Sequence, residues 1–154
     1  TSEAFYNDSV FSISGPSPPK VSQNTSYTIH WKLVNEGNDL TNVRITSALP
    51  PGISWENKTK ITPTQSDLDY NPLTGRLSWA ISTIPAGTGA ISPAFEAVFQ
   101  VGITPGLNQA NQAVEIMKEV SFEGIDNWTK EKVELDLFGI NTSTISDSPG
   151  TIQQ

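Results

Sequence analysis

Tyr27-Thr28-Ile29-His30-Trp31-Lys32-Leu33 is the stretch on which the fold of this chain turns. Tyr27, Ile29, Trp31 and Leu33 share one parity and Thr28, His30 and Lys32 the other, which is the period-two signature of a strand with one buried face. Outward from it the pattern repeats. Asn35-Glu36-Gly37-Asn38 supplies a turn, Val43 and Ile45 alternate with Arg44 and Thr46, and Pro50-Pro51-Gly52 ends that second strand, which residues 53–57 are expected to resume. Leu77, Trp79 and Ile81 alternate again, and Phe95, Ala97, Phe99, Val101 and Ile103 form the longest one-face stripe. Val114, Ile116, Val120 and Phe122 share a parity, and Val133, Leu135 and Leu137 close the series. About seven to nine strands follow, with turn residues between them and no window of helical period. The expected fold is all-β, an immunoglobulin-like two-sheet antiparallel sandwich.

Composition agrees with that reading. Charged residues are only 16% of the 154, while Ser, Thr, Asn, Gly and Pro are abundant. A single core is affordable at this length without staples, and there is no cysteine. The net charge of −7, with scattered Lys and Arg, argues against nucleic acid as a partner. No apolar run is long enough to span a bilayer, so no transmembrane segment is expected in this chain. The chain begins at Thr1 without a leader, so an export signal or anchor is expected to have been removed or to lie in a longer parent. Three segments are read: 1–19, a β-prone run at 10–14 and a proline-rich connector, packed on the sandwich or on a neighbour; 20–140, the sandwich; and 141–154, a Ser/Thr/Gly/Gln-rich linker or tail.

Tyr27-Thr28-Ile29, then Val34-Asn35-Glu36-Gly37-Asn38, Thr41-Asn42-Val43-Arg44-Ile45 and Leu49-Pro50-Pro51-Gly52-Ile53 form a distinctive succession, and Gly75-Arg76-Leu77-Ser78-Trp79 follows later. It resembles the bacterial and archaeal surface-protein repeat family catalogued as domain of unknown function eleven. Those repeats run as a tyrosine-led strand, an Asn-Gly turn, an Asn-Val strand, a Leu-Pro-x-Gly corner and a Gly-x-Leu-x-Trp strand. The resemblance covers residues 20–137 and implies an Ig-like module of large surface proteins, often in tandem, with no catalytic residues. The Asp usual before the Leu-Pro corner is replaced by Ser47-Ala48, so a cation role for it is not carried over.

The reactive inventory is poor. His30 is the only histidine and falls on the strand face opposite Tyr27, Ile29 and Trp31, where a Ser-His-Asp relay would have to assemble on an outer sheet surface. The chain is therefore read as non-enzymatic, with no catalytic residues and no cofactor other than a candidate calcium ion. Asp67, Asp69 and Asn71 alternate like the opening of a calcium loop, although Pro72 stands where a sharp-turn glycine belongs. Glu123 and Asp126 make a second, weaker oxygen pair. Lys118, on the apolar parity between Ile116 and Val120, is a candidate for a buried ion pair or an intramolecular isopeptide bond, against the plainer reading of a bulge or edge lysine. Trp31 and Trp79 are expected in the core. Trp55 and Trp128, beside polar residues, are candidate stacking platforms for a glycan or protein. Five Asn-x-Ser/Thr triplets begin at Asn7, Asn24, Asn57, Asn127 and Asn141.

The function expected from these readings is a structural or adhesion module outside the cell: a spacer or assembly subunit of a larger surface protein, stalk, filament or surface layer. Its partners would be neighbouring domains or copies of the same protein. The alternative is a module that binds a glycan or a host protein through its loop tryptophans.

Overall fold

The alternation that starts at Tyr27 becomes β2 (Thr25–Leu33), and the stripe from Phe95 becomes its antiparallel partner β7 (Phe95–Ile103). The computed structural model describes residues 1–154. Its other strands are β1 (Ser2–Phe5), β3 (Leu40–Ala48), β4 (Ile53–Thr62), β5 (Asp67–Asn71), β6 (Arg76–Ile84), β8 (Glu115–Met117), β9 (Val120–Asp126), β10 (Lys132–Leu137) and β11 (Ile140–Asn141). They form a four-stranded sheet, β1-β2-β7-β4, a five-stranded sheet, β10-β9-β3-β6-β5, and a two-stranded ribbon, β11-β8. Every pairing of these strands is antiparallel. The protein is thus the two-sheet sandwich its periodicity predicts.

One face of each sheet fills the space between them. Tyr27, Ile29 and Trp31 of β2, with Ala97, Phe99 and Val101 of β7, meet Val43 and Ile45 of β3 and Leu77, Trp79 and Ile81 of β6, all buried. Trp31 and Phe99 pack edge to face at 5.1 Å; Trp79 satisfies its indole N–H on the Ser66 hydroxyl at 2.9 Å, whereas the buried indole N–H of Trp31 has no partner. The Leu-Pro corner is buried at Leu49, whose N–H donates to the Gly75 carbonyl at 2.8 Å. Gly75 has φ +71°, and a Cβ there would stand 2.7 Å from the Leu49 carbonyl oxygen, so only glycine fits.

Four expectations are corrected. Residues 53–57 do not resume the second strand but open β4, in the opposite sheet. The N-terminal strand is β1 rather than residues 10–14, which bend across the outside of the first sheet. Lys118 is exposed, because the stretch from Val114 to Phe122 is two strands; both Ile116 and Met117 are buried, so the parity changes between β8 and β9 and the lysine turns outward. Residues 141–154 are no linker: Thr142, Ile145, Ser148 and Ile152 are buried. The tail's backbone is tied in as well, with Ile152 N–H on the Gln112 carbonyl (3.0 Å) and Gln153 N–H on the Pro19 carbonyl (2.8 Å). A composition dominated by polar residues hid two isoleucines that complete the core.

Two outcomes follow. Ile152→Ala, which empties a fully buried site, lowers stability by about 2–4 kcal/mol, read as a lower denaturant midpoint at unchanged m. Burial pushes the Tyr27 phenol above its ordinary value, and its hydroxyl is buried without a hydrogen-bond partner. A pKa raised in the folded state gives stability that is complete below the unfolded phenol value of about 10 and is lost as pH rises through the higher folded value. Tyr27→Phe therefore flattens the alkaline limb of a stability profile, while the neutral region keeps its shape.

Candidate functional site

The outer face of the four-stranded sheet is polar yet covered. Ser26 and Thr28 of β2 and Gln100 of β7 point away from the core and are all buried, because residues 7–14 run over them as a strap. Buried polar groups need partners, and most of the partners come from the strap. The Ser26 hydroxyl accepts from Ser14 N–H at 2.8 Å, and Ser26 N–H donates to the Ser14 carbonyl at 2.9 Å. The Gln100 amide donates to the Ser12 carbonyl at 3.0 Å, and its oxygen accepts from Lys58 Nζ at 2.7 Å. The Thr28 hydroxyl alone in this row has no partner.

His30 closes the row. Its Nε2 lies 2.8 Å from Asp8 Oδ2 on the strap and its Nδ1 lies 2.9 Å from Glu96 Oε1 on β7, with the Phe5 ring edge-on at 5.4 Å. The imidazole side chain is only 18% exposed. Ionised carboxylates only accept, so both contacts are complete hydrogen bonds when both ring nitrogens carry protons. Both ring nitrogens are thus engaged by carboxylates, and the ring ties the strap to the sheet. The C-terminal tail fastens the start of the strap beside Asp8: Asp147 accepts from Tyr6 N–H at 2.9 Å and from Asn7 N–H at 2.7 Å. This clasp escaped the reading of the sequence, which had only the face of His30 and no signal that Asp8 and Glu96 meet there.

The predicted site residues are dispersed. Asp67, Asp69 and Asn71 lie on edge strand β5 rather than in a loop, exposed on its outer face while Leu68 and Tyr70 turn inward. Alternate residues on a strand stand roughly 6.5–7 Å apart, too far for three side chains to close around a cation at about 2.4 Å. Asn71 Oδ1 is moreover engaged by the Leu73 and Thr74 N–H groups at 2.9 and 3.3 Å. Glu123 pairs with Lys132 (3.3 Å) on the outer face of the second sheet. Asp126 instead caps the β9–β10 turn, where the Thr129 N–H, then the Asn38 amide and the Trp128 N–H, hold its carboxyl below the usual range. No three His, Cys, Asp or Glu side chains come together as a metal site. Lys118, with its side chain exposed, has no carboxylate partner; its carbonyl accepts from the Ser47 hydroxyl at 2.9 Å. The readings of Lys118 as a buried ion pair or isopeptide donor are corrected accordingly.

The two loop tryptophans are also apart. Trp128, 83% exposed, stands on the β9–β10 turn. Trp55 is half-buried on edge strand β4 and stacks on Tyr70 of edge strand β5, with ring centroids 4.9 Å apart and planes 16° from parallel. That pair bridges the two sheets at an open side of the sandwich. It floors a cleft of about 650 Å³ lined also by Asn57, Thr59, Leu68 and Pro72.

The sequence matches no protein-family model and no curated protein. Solved structures resemble the fold. Domains D2 and D3 of the major pilin SpaD from Corynebacterium diphtheriae superpose with a TM-score of 0.55 at 12% identity, over 92% of this chain and 52% of that one. A variant of BcpA, the major pilin subunit of Bacillus cereus, gives 0.53 at 13% identity, over 97% of this chain and 40% of that one. The RrgA Jo.In complex gives 0.54 at 8% identity, over 90% and 91%. This chain thus spans about half the length of the first structure. At these identities the likeness is one of fold, an immunoglobulin-like sandwich of the kind found in pilin domains.

The clasp makes a direct prediction. Asp8→Asn and His30→Gln each free the strap, so the Ser14 and Ser26 amides exchange with solvent roughly tenfold faster, while β7 amides in the core hold their rates in native-state hydrogen exchange.

Proposed function

We propose that the chain is a non-catalytic extracellular module that carries load: a spacer or assembly subunit of a larger cell-surface protein, stalk, filament or surface layer. The observation that carries this reading is where the two ends are fastened. Thr1 exchanges backbone hydrogen bonds with Lys32, at the far end of β2, donating at 2.7 Å and accepting at 3.0 Å. Gln153 is held by Pro19 and Val21, which precede the start of β2, each at 2.8 Å. The length of β2 between these points is about 23 Å. Tension applied through the two ends therefore runs along β2 and loads the β1–β2 ladder in shear, where all of its hydrogen bonds must fail together.

Support also comes from the solved structures that share the sandwich, one a part of a major pilin and another a major pilin subunit. The two carboxylates around His30 agree with a structural use of the one histidine. Kinship with the domain-of-unknown-function-eleven repeats is part of the proposal and rests on the order of motifs. Partners are then adjacent domains or further copies, meeting at the ends and along exposed edges.

The test is single-molecule force spectroscopy through pairs of introduced cysteines, which are unambiguous because the chain has none. Pulling between positions 1 and 154 gives a single high-force rupture. Pulling between positions 1 and 33, which peels β1 from β2 one bond at a time, gives a lower one. Equal forces in the two geometries would remove the basis of the load-bearing reading.

A further inference from the structure

Of the five Asn-x-Ser/Thr triplets, those at Asn7 and Asn57 each line a cleft, and only the one at Asn57 has a stacked aromatic pair in its wall. Trp55, Asn57 and Thr59 all line the cleft floored by the Trp55–Tyr70 stack. A β-bulge brings them there. Trp55 pairs with Val101 and Thr59 with Phe99, so four steps along β4 match two along β7, and Asn57 at the centre takes φ +54°. The Asn57 side chain is exposed and makes no hydrogen bond within the chain. By contrast Asn35, outside any such triplet, spends its amide on the Asn38, Ile84 and Pro85 carbonyls. Asn24 and Asn141 are less available: Ser26, the hydroxyl residue of the first triplet, is buried, and Asn141 is half-buried with its side-chain oxygen accepting from Ser143.

We infer that Asn57 is an N-glycosylation site whose first sugar is seated by the protein. The reaction is glycosyl transfer from a sugar carried on a polyprenyl phosphate or pyrophosphate. The Nδ2 lone pair forms a bond to the sugar C1 as the C1–O–phosphate bond breaks; the lipid phosphate leaves with that electron pair, and Nδ2 gives up one proton. The attached pyranose lies in the cleft with its C–H face toward the Trp55–Tyr70 pair and its hydroxyls within reach of Thr59. The volume is in the range of small-ligand sites, roughly 300–1,000 Å³, and the mixture of aromatic floor and neutral polar rim suits a sugar. The glycan also covers β4, an unpaired edge whose open hydrogen bonds would otherwise recruit another strand.

This site rests on the export proposed above, and its test is separate from the force measurement. The full chain is secreted from a host that glycosylates Asn-x-Ser/Thr and its glycopeptides are mapped by mass. Asn57 is occupied. The glycosylated chain unfolds about two- to tenfold more slowly than the same chain after enzymatic release of its glycans. Asn57→Gln abolishes that difference, and Tyr70→Ala, which removes half of the floor, shrinks it even though Asn57 stays occupied. A chain glycosylated at Asn7 or Asn127 but bare at Asn57 overturns the site, and so does a chain with no glycan at all. Occupancy at Asn57 with no change in unfolding rate overturns the seat.

Discussion

β2 is buried on both faces, and the remaining architecture follows from that constraint. Its inner parity, Tyr27, Ile29 and Trp31, fills the core with apolar mass. Its outer parity, Ser26, Thr28 and His30, is polar and cannot be covered by a second hydrophobic layer without leaving hydrogen bonds unmade. A strap of irregular backbone meets this need, because it brings unpaired N–H and C=O groups to the surface that requires them. Ser14 and Ser12 deliver them, and Asp8 adds its side-chain carboxylate for His30. The strap must itself be anchored, and Asp147 does so from the last dozen residues of the chain.

Most of the sandwich was legible because alternation survives wherever one side of a strand meets the core and the other meets water. The stripe of β7 and the run of β2 are the strongest cases. Where alternation failed as a guide, the cause was local. In β5 the alternation of Asp67, Asp69 and Asn71 drew attention to oxygen ligands, yet the same period placed Leu68 and Tyr70 on the inner face and marked an edge strand. Between Met117 and Val120 the chain leaves one sheet system for another, so parity carried through Lys118 assigned it to the wrong side. The tail was hidden because Ile145 and Ile152 are separated by residues typical of linkers, and only their tertiary contacts reveal them.

The sites were less legible than the fold because they join residues remote in sequence. The face of His30 could be read from strand parity, but its carboxylates lie 22 residues before and 66 residues after it. Trp55 was singled out beside polar residues, whereas its stacking partner Tyr70 lay within a stretch read as loop. The triplet at Asn57 was visible as a motif. Its cleft was not, because that depends on a bulge and on two edge strands of different sheets meeting at one side.

The contact between Asp147 and Tyr6 spans 141 of the 154 residues. Contacts so distant in sequence are made late, since the entropy of closing the loop is spent before they return anything. During synthesis the strap thus emerges unanchored, with the polar face of β2 still wet. Only when the final segment arrives can Asp147 hold the strap down and Ile152 fill the core. The order of synthesis therefore makes residues 147–152 the fastening of a strap laid down some 140 residues earlier.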